Sequence, residues 1–404
     1  MNGSVLLLLP MILPFIFGLI IGFQKEEKQR NILVFIAMAV EAALVWYLCS
    51  GEMQTFVLWR ISDRLALVYK TDGLARFFAC LISTIWLIAA VFSMEYMKHE
   101  HKPARFFMFY TFSLAALMSL CFSENMMTMY LSYEFMTILT APLVIHTGTP
   151  EATRAGLKYL GYSFFGAGLG LMGFFFLNTY CRTTIFMPGG TLDMAMVAGH
   201  ENLLLVVFFL MALGFGCKAG MFPLHAWLPT AHPVAPSPAS AVLSGIIAII
   251  RVTYYLFGVD FLRGTWAQTA LLVLSIVTIF MGSMLAYKEK LLKKRLAYST
   301  VSNVSYVVFG LMLMCPAGFM GALLQVVFHA DIERQAGNFT MDDVADGEVR
   351  KMLFRHPHVF GGQETVQDAD TVLEGWEAIK RREKGQQTTA QALDAVARSL
   401  PGLW

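Results

Sequence analysis

The sequence predicts an all-α, polytopic transmembrane helix bundle with a small soluble helical tail. Of its 404 residues, 57% are hydrophobic and only 14% are charged, whereas soluble domains are about 25% charged. The mean hydropathy is +0.59, and apolar stretches of about 20 residues, the length that crosses a bilayer as a helix, recur along the first 330 residues. Beyond residue 330 lie 22 of the 58 charged residues, which indicates a change to soluble sequence.

The predicted spans follow one another with short loops between them. The N-terminal stretch has no basic region before its apolar core, so we expect a first spanning helix and not a cleaved signal. An eleventh apolar run begins at Gly318 and stops at Ala330, which is too short to cross the hydrocarbon layer at about 1.5 Å per residue. The ten complete spans are predicted near residues 4–23, 31–49, 75–97, 106–123, 126–147, 156–179, 202–222, 239–258, 268–287 and 296–315.

Loop charges predict the orientation of the bundle. Basic residues cluster after the first, third, fifth and ninth spans, whereas the loops after the fourth and tenth contain none. Under the positive-inside rule, this alternation places the N-terminus outside and the loops after odd-numbered spans in the cytoplasm. We therefore expect a multi-pass protein of the plasma (inner) membrane whose C-terminal tail lies in the cytoplasm.

Composition also excludes several kinds of site. The six cysteines are scattered through apolar runs without a C-x-x-C pair, a pattern typical of small buried side chains and not of disulfides or metal ligands. We expect no metal and no cofactor. A net charge of +2 gives no reason to expect nucleic acid as a partner.

Two ionisable residues inside predicted spans are the leading candidates for function. Lys218 lies near the end of the apolar stretch at 203–222, and Glu134 lies in the span at 126–147. A cation at membrane depth costs roughly 2.5–3.5 kcal/mol on insertion scales, and such residues usually mark an ion or proton pathway. If the two helices pack together, protonation of Glu134 would weaken its hold on Lys218, as in a charge-coupled pump. The alternative is a static buried ion pair that fixes helix register.

Three further residues are candidates for proton translocation. His225 and His232 lie in a proline-rich stretch at residues 223–240. Prolines leave helix carbonyl groups without a hydrogen-bond partner, which is tolerated at membrane depth only beside protein or a water-filled cavity. Histidine titrates near neutral pH and could relay protons there. A cytoplasmic loop with ordinary histidines is the alternative. Lys158 lies at the start of the sixth span and either joins the proton pathway or extends to the membrane–water interface. Arg251 lies inside the eighth span, and the sequence indicates no partner for it.

Residues 100–330 resemble the antiporter-like membrane subunits of respiratory complex I, Mrp-type cation/proton antiporters and membrane-bound hydrogenases. The resemblance is carried by YEFMTILTAPLVIH around Glu134, KYL with Lys158, GFGCKAGMFPLHAWLPTAHPVAPSPASAVLSG around Lys218, and KKRLAYSTVSNVSYVVFG from Lys293. It implies that Glu134 and Lys218 form a charge pair on a hydrated axis. It also implies a subunit that moves protons, or exchanges Na⁺ for protons, with a redox module and other membrane subunits as partners. Such a chain is not an enzyme by itself.

Two departures from that family limit the resemblance. The family's lysine in the eighth helix is absent, because Gly245 runs directly into IIAIIRV. The family builds two inverted halves, whereas this chain stops within its eleventh span and has Asp331, Ile332 and Glu333 where the family has a lysine. The sequence therefore predicts a truncated antiporter-like fold.

The tail resembles a second family, the MazG-type nucleoside triphosphate pyrophosphohydrolases. The resemblance covers residues 323–403, through RKMLFRHPHVFG, VLEGWEAIKRREKG and LDAVARSLPGL. It implies weak nucleotide contacts at Lys351, Arg355 and Trp376. Two of the carboxylates that hold Mg²⁺ in that family fall at Gly318 and Gly321, and the others would lie upstream, where this chain is membrane helix. Mg²⁺ prefers such oxygen ligands. The alternative function, a membrane-attached pyrophosphohydrolase, is therefore expected to be inactive.

The two resemblances predict the domain organisation. Residues 1–330 are expected to form the antiporter-like transmembrane domain, and residues 331–404 a soluble MazG-like fragment with helices at 341–354, 371–385 and 389–400. The string ALLQVVFHA fits both families. A short shared string that joins two partial families predicts a chimeric or truncated chain.

Overall fold

The computed structural model describes residues 5–62, 65–98, 100–235 and 242–337. Within these ranges the principal helices follow the order that the apolar pattern predicts. The predicted tail helices lie outside the described residues, and so do Lys351, Arg355 and Trp376. The helices are α1 (Leu9–Phe23), α2 (Glu27–Ser50), α3 (Gly73–Tyr96), α4 (Pro103–Cys121), α5 (Met126–Val144), α6 (Pro150–Tyr180), α7 (Glu201–Lys218), α8 (Val242–Ile250, continued by a π-helix at Arg251–Phe257), α9 (Trp266–Lys288), α10 (Leu292–Met312) and α11 (Pro316–Gly337).

The helices have the dimensions of a membrane bundle. In the part of the chain that the structure describes, seven helices are long and apolar enough to cross a membrane by length and composition. Shorter apolar helical stretches at Ser244–Phe257 and Pro316–Phe328 accompany them. The predicted fold class, an all-α polytopic membrane bundle, is confirmed. The seven are α1 with the turn before it, α2, α3, α4, α6, α7 and α9.

Capping side chains fix where several helices begin. The first backbone N–H groups of a helix have no partner within the helix, so a side-chain oxygen just before it stabilises the start. Four helices begin after a residue whose side chain accepts such a bond, namely Asp72 before α3, Asn125 before α5, Thr149 before α6 and Thr265 before α9.

Two predicted boundaries are wrong. Helix α7 ends at Lys218 and not at residue 222, because Gly220 adopts a φ of +74° and prolines follow it. Helix α11 begins at Pro316 and continues to Gly337, whereas the apolar run stops at Ala330. The residues that follow, DIERQ, are compatible with a helix although they are polar, because backbone hydrogen bonding does not depend on apolar side chains.

A two-stranded antiparallel sheet, β1 (Thr55–Arg60) and β2 (Ala66–Lys70), is an element that the apolar pattern did not predict. Its strands are rich in aromatic and β-branched residues, which favour extended backbone. The backbone N–H of Lys70 donates to the oxygen of Phe122 (2.7 Å), and the N–H of Glu124 donates to the oxygen of Val68 (3.0 Å). The hairpin therefore covers the end of the bundle at which α3 and α5 begin.

Glycines bring α6 and α7 into close contact. A Cβ atom added to Gly166 would lie 2.4 Å from the carbonyl oxygen of Gly214, and one added to Gly214 would lie 2.4 Å from the oxygen of Gly166. On the same face of α6, Gly170 contacts the ring of Phe215. Small residues at this spacing let membrane helices approach each other. This contact sets the position of the C-terminal turn of α7, which contains Lys218.

We expect Gly166→Ala to destabilise the bundle, because the new methyl group would collide with backbone and not with a side chain that can move aside. Overpacking of this kind lowers the free energy of unfolding by about 1–3 kcal/mol. Thermal unfolding in detergent measures the change. Gly168→Ala on the same helix is the matched control, since an added Cβ there meets nothing within 4 Å. Equal melting of the two variants would contradict the close contact.

Candidate functional site

The ammonium group of Lys218 is completely buried at the end of α7, with a relative exposure of 0%. Its Nζ donates a hydrogen bond to the backbone oxygen of Tyr133 on α5 (2.9 Å). The same Nζ lies 3.6 Å from the centroid of the Tyr133 ring, a cation–π contact that strengthens when water is excluded. Lys218 is thus held by dipoles of α5 at membrane depth.

Glu134 follows Tyr133 directly and is half-buried. The hydroxyl of Tyr130 donates to its Oε1 (3.4 Å). Neither carboxylate oxygen lies within 4.0 Å of Lys218 Nζ, so the two residues make no direct ion pair. The two residues are linked through Tyr133, which precedes Glu134 on α5 and whose backbone oxygen binds the ammonium group. The structure therefore places Tyr133, and not the carboxylate, in direct contact with the ammonium group.

The chain after Lys218 folds back into the bundle as turns and a short helix, Leu228–Ala231. The Nε1 of Trp227 donates to the oxygen of Cys217 (2.8 Å), which satisfies a carbonyl that the end of α7 leaves free. Trp227, Leu228 and Pro229 are buried. The segment is part of the protein interior and lies beside the end of the lysine helix.

Polar side chains of α5 and α6 continue from Tyr133 towards this segment. Thr137 donates to the oxygen of Tyr133 (3.1 Å), and the hydroxyls of Thr140 and Tyr159 lie 2.6 Å apart. The ring of Tyr159 lies 5.0 Å from that of Trp227. Hydroxyl groups thus extend from the α5 site to Tyr159, and a ring contact joins Tyr159 to the folded-back segment.

Lys158 belongs to the same region. Its Nζ donates to Oγ1 of Thr230 (3.0 Å), on the short helix of the folded-back segment. The two predicted histidines lie in this segment and are half-buried. Nδ1 of His225 and Nε2 of His232 are buried without a hydrogen-bond partner among the described residues. Buried polar atoms of this kind usually bind water or an ion, so this region has the chemistry of a wet polar site.

A second charged cluster lies at the hairpin end of the bundle, and the sequence pattern did not predict it. The guanidinium of Arg251 is fully buried and binds both carboxylate oxygens of Asp72, with 2.9 Å between Nη2 and Oδ1. Lys70 and Glu124 form an ion pair beside it at 2.8 Å. Asp72 is a helix cap just before Gly73, and this position was the only signal of its importance in the sequence.

Metal-ligating side chains are scattered through the fold. Over the ranges that the structure describes, no three or more His, Cys, Asp and Glu side chains come together as a metal site requires. Among the described residues no cysteine forms a disulfide, and five of the six are buried or half-buried.

Two protein-family models match the chain. The model described as "NADH:quinone oxidoreductase/Mrp antiporter, TM" matches residues 123–341, which is more than half of the chain. The model described as "NADH-Ubiquinone oxidoreductase (complex I), chain 5 N-terminus" matches residues 61–107. The first match includes the five candidate residues of this site and extends through α11. Nothing in these comparisons supports a MazG-type tail or a chimeric chain.

Curated relatives agree with the family match. The chain is 31% identical over 284 residues to hydrogenase-4 component B of Escherichia coli, with 65% of this chain and 41% of that protein covered. It is 26% identical over 346 residues to a Na(+)/H(+) antiporter subunit of Alkalihalophilus pseudofirmus, with coverages of 80% and 67%. It is 28% identical over 354 residues to chloroplastic NAD(P)H-quinone oxidoreductase subunit 5 of Zea mays, with coverages of 80% and 46%. The chain thus spans less than half of the first and third of these relatives.

Solved structures share the fold. An Mrp complex from Dietzia sp. DQ12-45-1b matches with a TM-score of 0.71 at 21% identity, covering 82% of this chain and 37% of that chain. The membrane-bound sulfane sulfur reductase, an archaeal respiratory membrane complex, matches with a TM-score of 0.66 at 17% identity, covering 95% and 78%. At these identities the likeness shows the fold alone.

Proposed function

The chain belongs to the NADH:quinone oxidoreductase/Mrp antiporter transmembrane family, and from this premise we propose that it translocates protons, or exchanges a cation for protons, as a subunit of a redox-driven membrane complex. The observation that carries the proposal is the fully buried ammonium of Lys218 on Tyr133, one residue from Glu134. Relatives named as hydrogenase, antiporter and quinone oxidoreductase subunits support it.

The geometry suits a switch in which Glu134 controls the charge on Lys218. Opposite charges in a water-poor interior each favour the other's charged form, because a low dielectric constant strengthens their attraction. When a proton neutralises Glu134, the ammonium loses this stabilisation but keeps its bond to the oxygen of Tyr133. Proton uptake on α5 therefore favours proton release from α7.

The polar groups beside this pair provide a direction for the released proton. The hydroxyls of Thr140 and Tyr159 lead towards the folded-back segment, where Lys158 binds Thr230. We propose that His225, His232 and Lys158 exchange the proton with water at this end. The unpartnered ring nitrogens of the two histidines and the ammonium of Lys158, which donates to Thr230, make these residues suitable for relaying a proton.

The chain acts with other proteins in this proposal. Its described charge pair lies within a single bundle, and neither a metal nor a cofactor is needed for its role. We propose that other membrane subunits of a respiratory or hydrogenase complex complete the pathway and that a redox module supplies the energy. The proposed location is the plasma (inner) membrane, with residues 1–330 as the membrane domain and 331–404 as a cytoplasmic soluble fragment. The transported ion is the proton, with Na⁺ as the alternative counter-ion.

Glu134→Gln tests the proposal. Glutamine keeps the size of the side chain and its bond to Tyr130 but neither carries a charge nor accepts a proton. We expect coupled proton flux in proteoliposomes of the intact complex to fall by roughly 100-fold, the contribution typical of a positioned proton-transfer group. Glu151→Gln, at an exposed position in the first turn of α6, is the matched control and should leave flux unchanged. Parental flux in the Glu134 variant would refute the assignment.

A further inference from the structure

We propose that Glu41, in the middle of α2, is a reversible proton-binding carboxyl separate from Glu134 and Lys218. Glu41 is the fifteenth of the 24 residues of α2. At 1.5 Å per residue it lies roughly 21 Å from one end of the helix and about 14 Å from the other. An ionisable group at this depth is costly, and it is retained where it takes part in a pathway.

Glu41 is enclosed by apolar side chains. Its relative exposure is 2%, and it belongs to the buried stripe of α2 together with Val34, Met38 and Val45. Both carboxyl oxygens are buried without a hydrogen-bond partner in the part of the chain that the structure describes. Burial of an unpaired carboxylate is far more costly than burial of the neutral acid. The resting group therefore carries its proton.

Among the described residues, no charge from the surrounding helices compensates a carboxylate at this position. The helices packed against α2 are α1, α3 and α4, and α1 contains no titratable residue. Within the described ranges the carboxyl of Glu41 makes neither an ion pair nor a hydrogen bond. The titratable residues on α3 and α4 are Arg76, Cys80, Glu95, Tyr96, Arg105, Tyr110 and Cys121.

Unpartnered polar atoms lie on the same helix, near its start. Arg30 is buried near the start of α2, and its Nε and the Oδ1 of Asn31 have no partner within the described ranges. Arg30 and Glu41 are eleven residues apart, which is about three helical turns and places both on one face. Residues 32–40, which lie between the unpartnered polar atoms and Glu41, are all apolar, so these polar atoms end about 15 Å from Glu41 along the helix. In the proposal, water that enters beside Arg30 reaches the carboxyl and exchanges its proton.

Infrared spectroscopy of the full chain in lipid nanodiscs tests the proposal. Near neutral pH, we expect a carboxylic acid C=O band that moves to lower frequency after transfer into D₂O. The band should be lost in Glu41→Gln and retained in Glu134→Gln. A band that persists in Glu41→Gln, or one that does not respond to D₂O, would overturn the proposal. This readout is a protonation state and not a flux, so its failure is distinguishable from failure of the proposed function.

A second measurement uses the unsubstituted chain and does not depend on the folding of a variant. Dicyclohexylcarbodiimide reacts with protonated carboxyl groups in apolar surroundings. Peptide mass spectrometry after labelling near neutral pH should locate an adduct on Glu41 and none on Glu52, which is exposed. Absence of the Glu41 adduct would overturn the proposal, and its loss at alkaline pH would support reversible binding.

Discussion

Lys218→Met is expected to reduce coupled proton flux to the background of protein-free liposomes. Methionine has a similar length and suits the apolar end of α7, but it has no charge to respond to Glu134. The variant should still fold, because removing a buried ammonium removes a desolvation cost of roughly 2.5–3.5 kcal/mol. The oxygen of Tyr133 would still accept a hydrogen bond from Thr137 (3.1 Å). Loss of transport would therefore not result from loss of structure.

The control for this experiment is Lys98→Met. Lys98 pairs with Glu95 on the surface at 2.6 Å, and exposed pairs contribute at most about 1 kcal/mol. Flux should match the parent in this variant, and neither variant should melt below the parental temperature. Parental flux in Lys218→Met would show that the buried ammonium is a static structural group, which is the alternative that the sequence left open.

Arg251→Met is expected to produce the largest loss of stability. Arg251 is fully buried and makes a two-pronged contact with Asp72, and its guanidinium lies 5.1 Å from the ring of Phe186 and 5.0 Å from that of Tyr255. Removal of one partner leaves Asp72 with its helix-cap bond to the N–H of Ala75. Breaking a buried pair in this way costs about 3–5 kcal/mol. Chemical unfolding in detergent measures the change in free energy.

Two further variants separate the ion pair from other effects of the substitution. Arg154→Met changes the same residue type at an exposed position of α6 and should leave stability near the parental value. Asp72→Asn combined with Arg251→Met removes the uncompensated charge and should recover part of the loss. If the double variant is no more stable than Arg251→Met, the ion pair is not the source of the effect.

Local patterns predict the helices well because each span depends on the length and apolarity of its own segment. Most predicted boundaries lie within a few residues of the observed ones; α6 begins six residues early, at Pro150, and the boundary near Gly220 depends on a backbone turn. The hairpin β1–β2 was missed because its strands pair with each other and with residues 122–124, which are distant in sequence. The apolar pattern also concealed Glu41, since one carboxyl hardly changes the hydropathy of a 24-residue helix.

The candidate functional residues were likewise predictable from the sequence only in part. Lys218 and Glu134 were recognisable because a charge is conspicuous in an apolar segment. Their mutual geometry was not recognisable from the sequence. The sequence suggested an ion pair between them, whereas the fold places Lys218 on Tyr133. Arg251 was recognised as unusual, yet its partner Asp72 lies 179 positions away. Such distant pairings arise only when the helices pack.

The amino-acid sequence by itself determined that this protein is a helical membrane bundle with buried charges, because hydrophobic length and isolated ionisable residues are properties of single segments. Tertiary structure decided which of these charges have partners. The close approach of α6 and α7 at Gly166 and Gly214 sets the position of Lys218, and the packing of α2 leaves Glu41 without a partner among the described residues. The physical reason is that electrostatic energies depend on distances and solvent exclusion between helices, and neither is encoded locally.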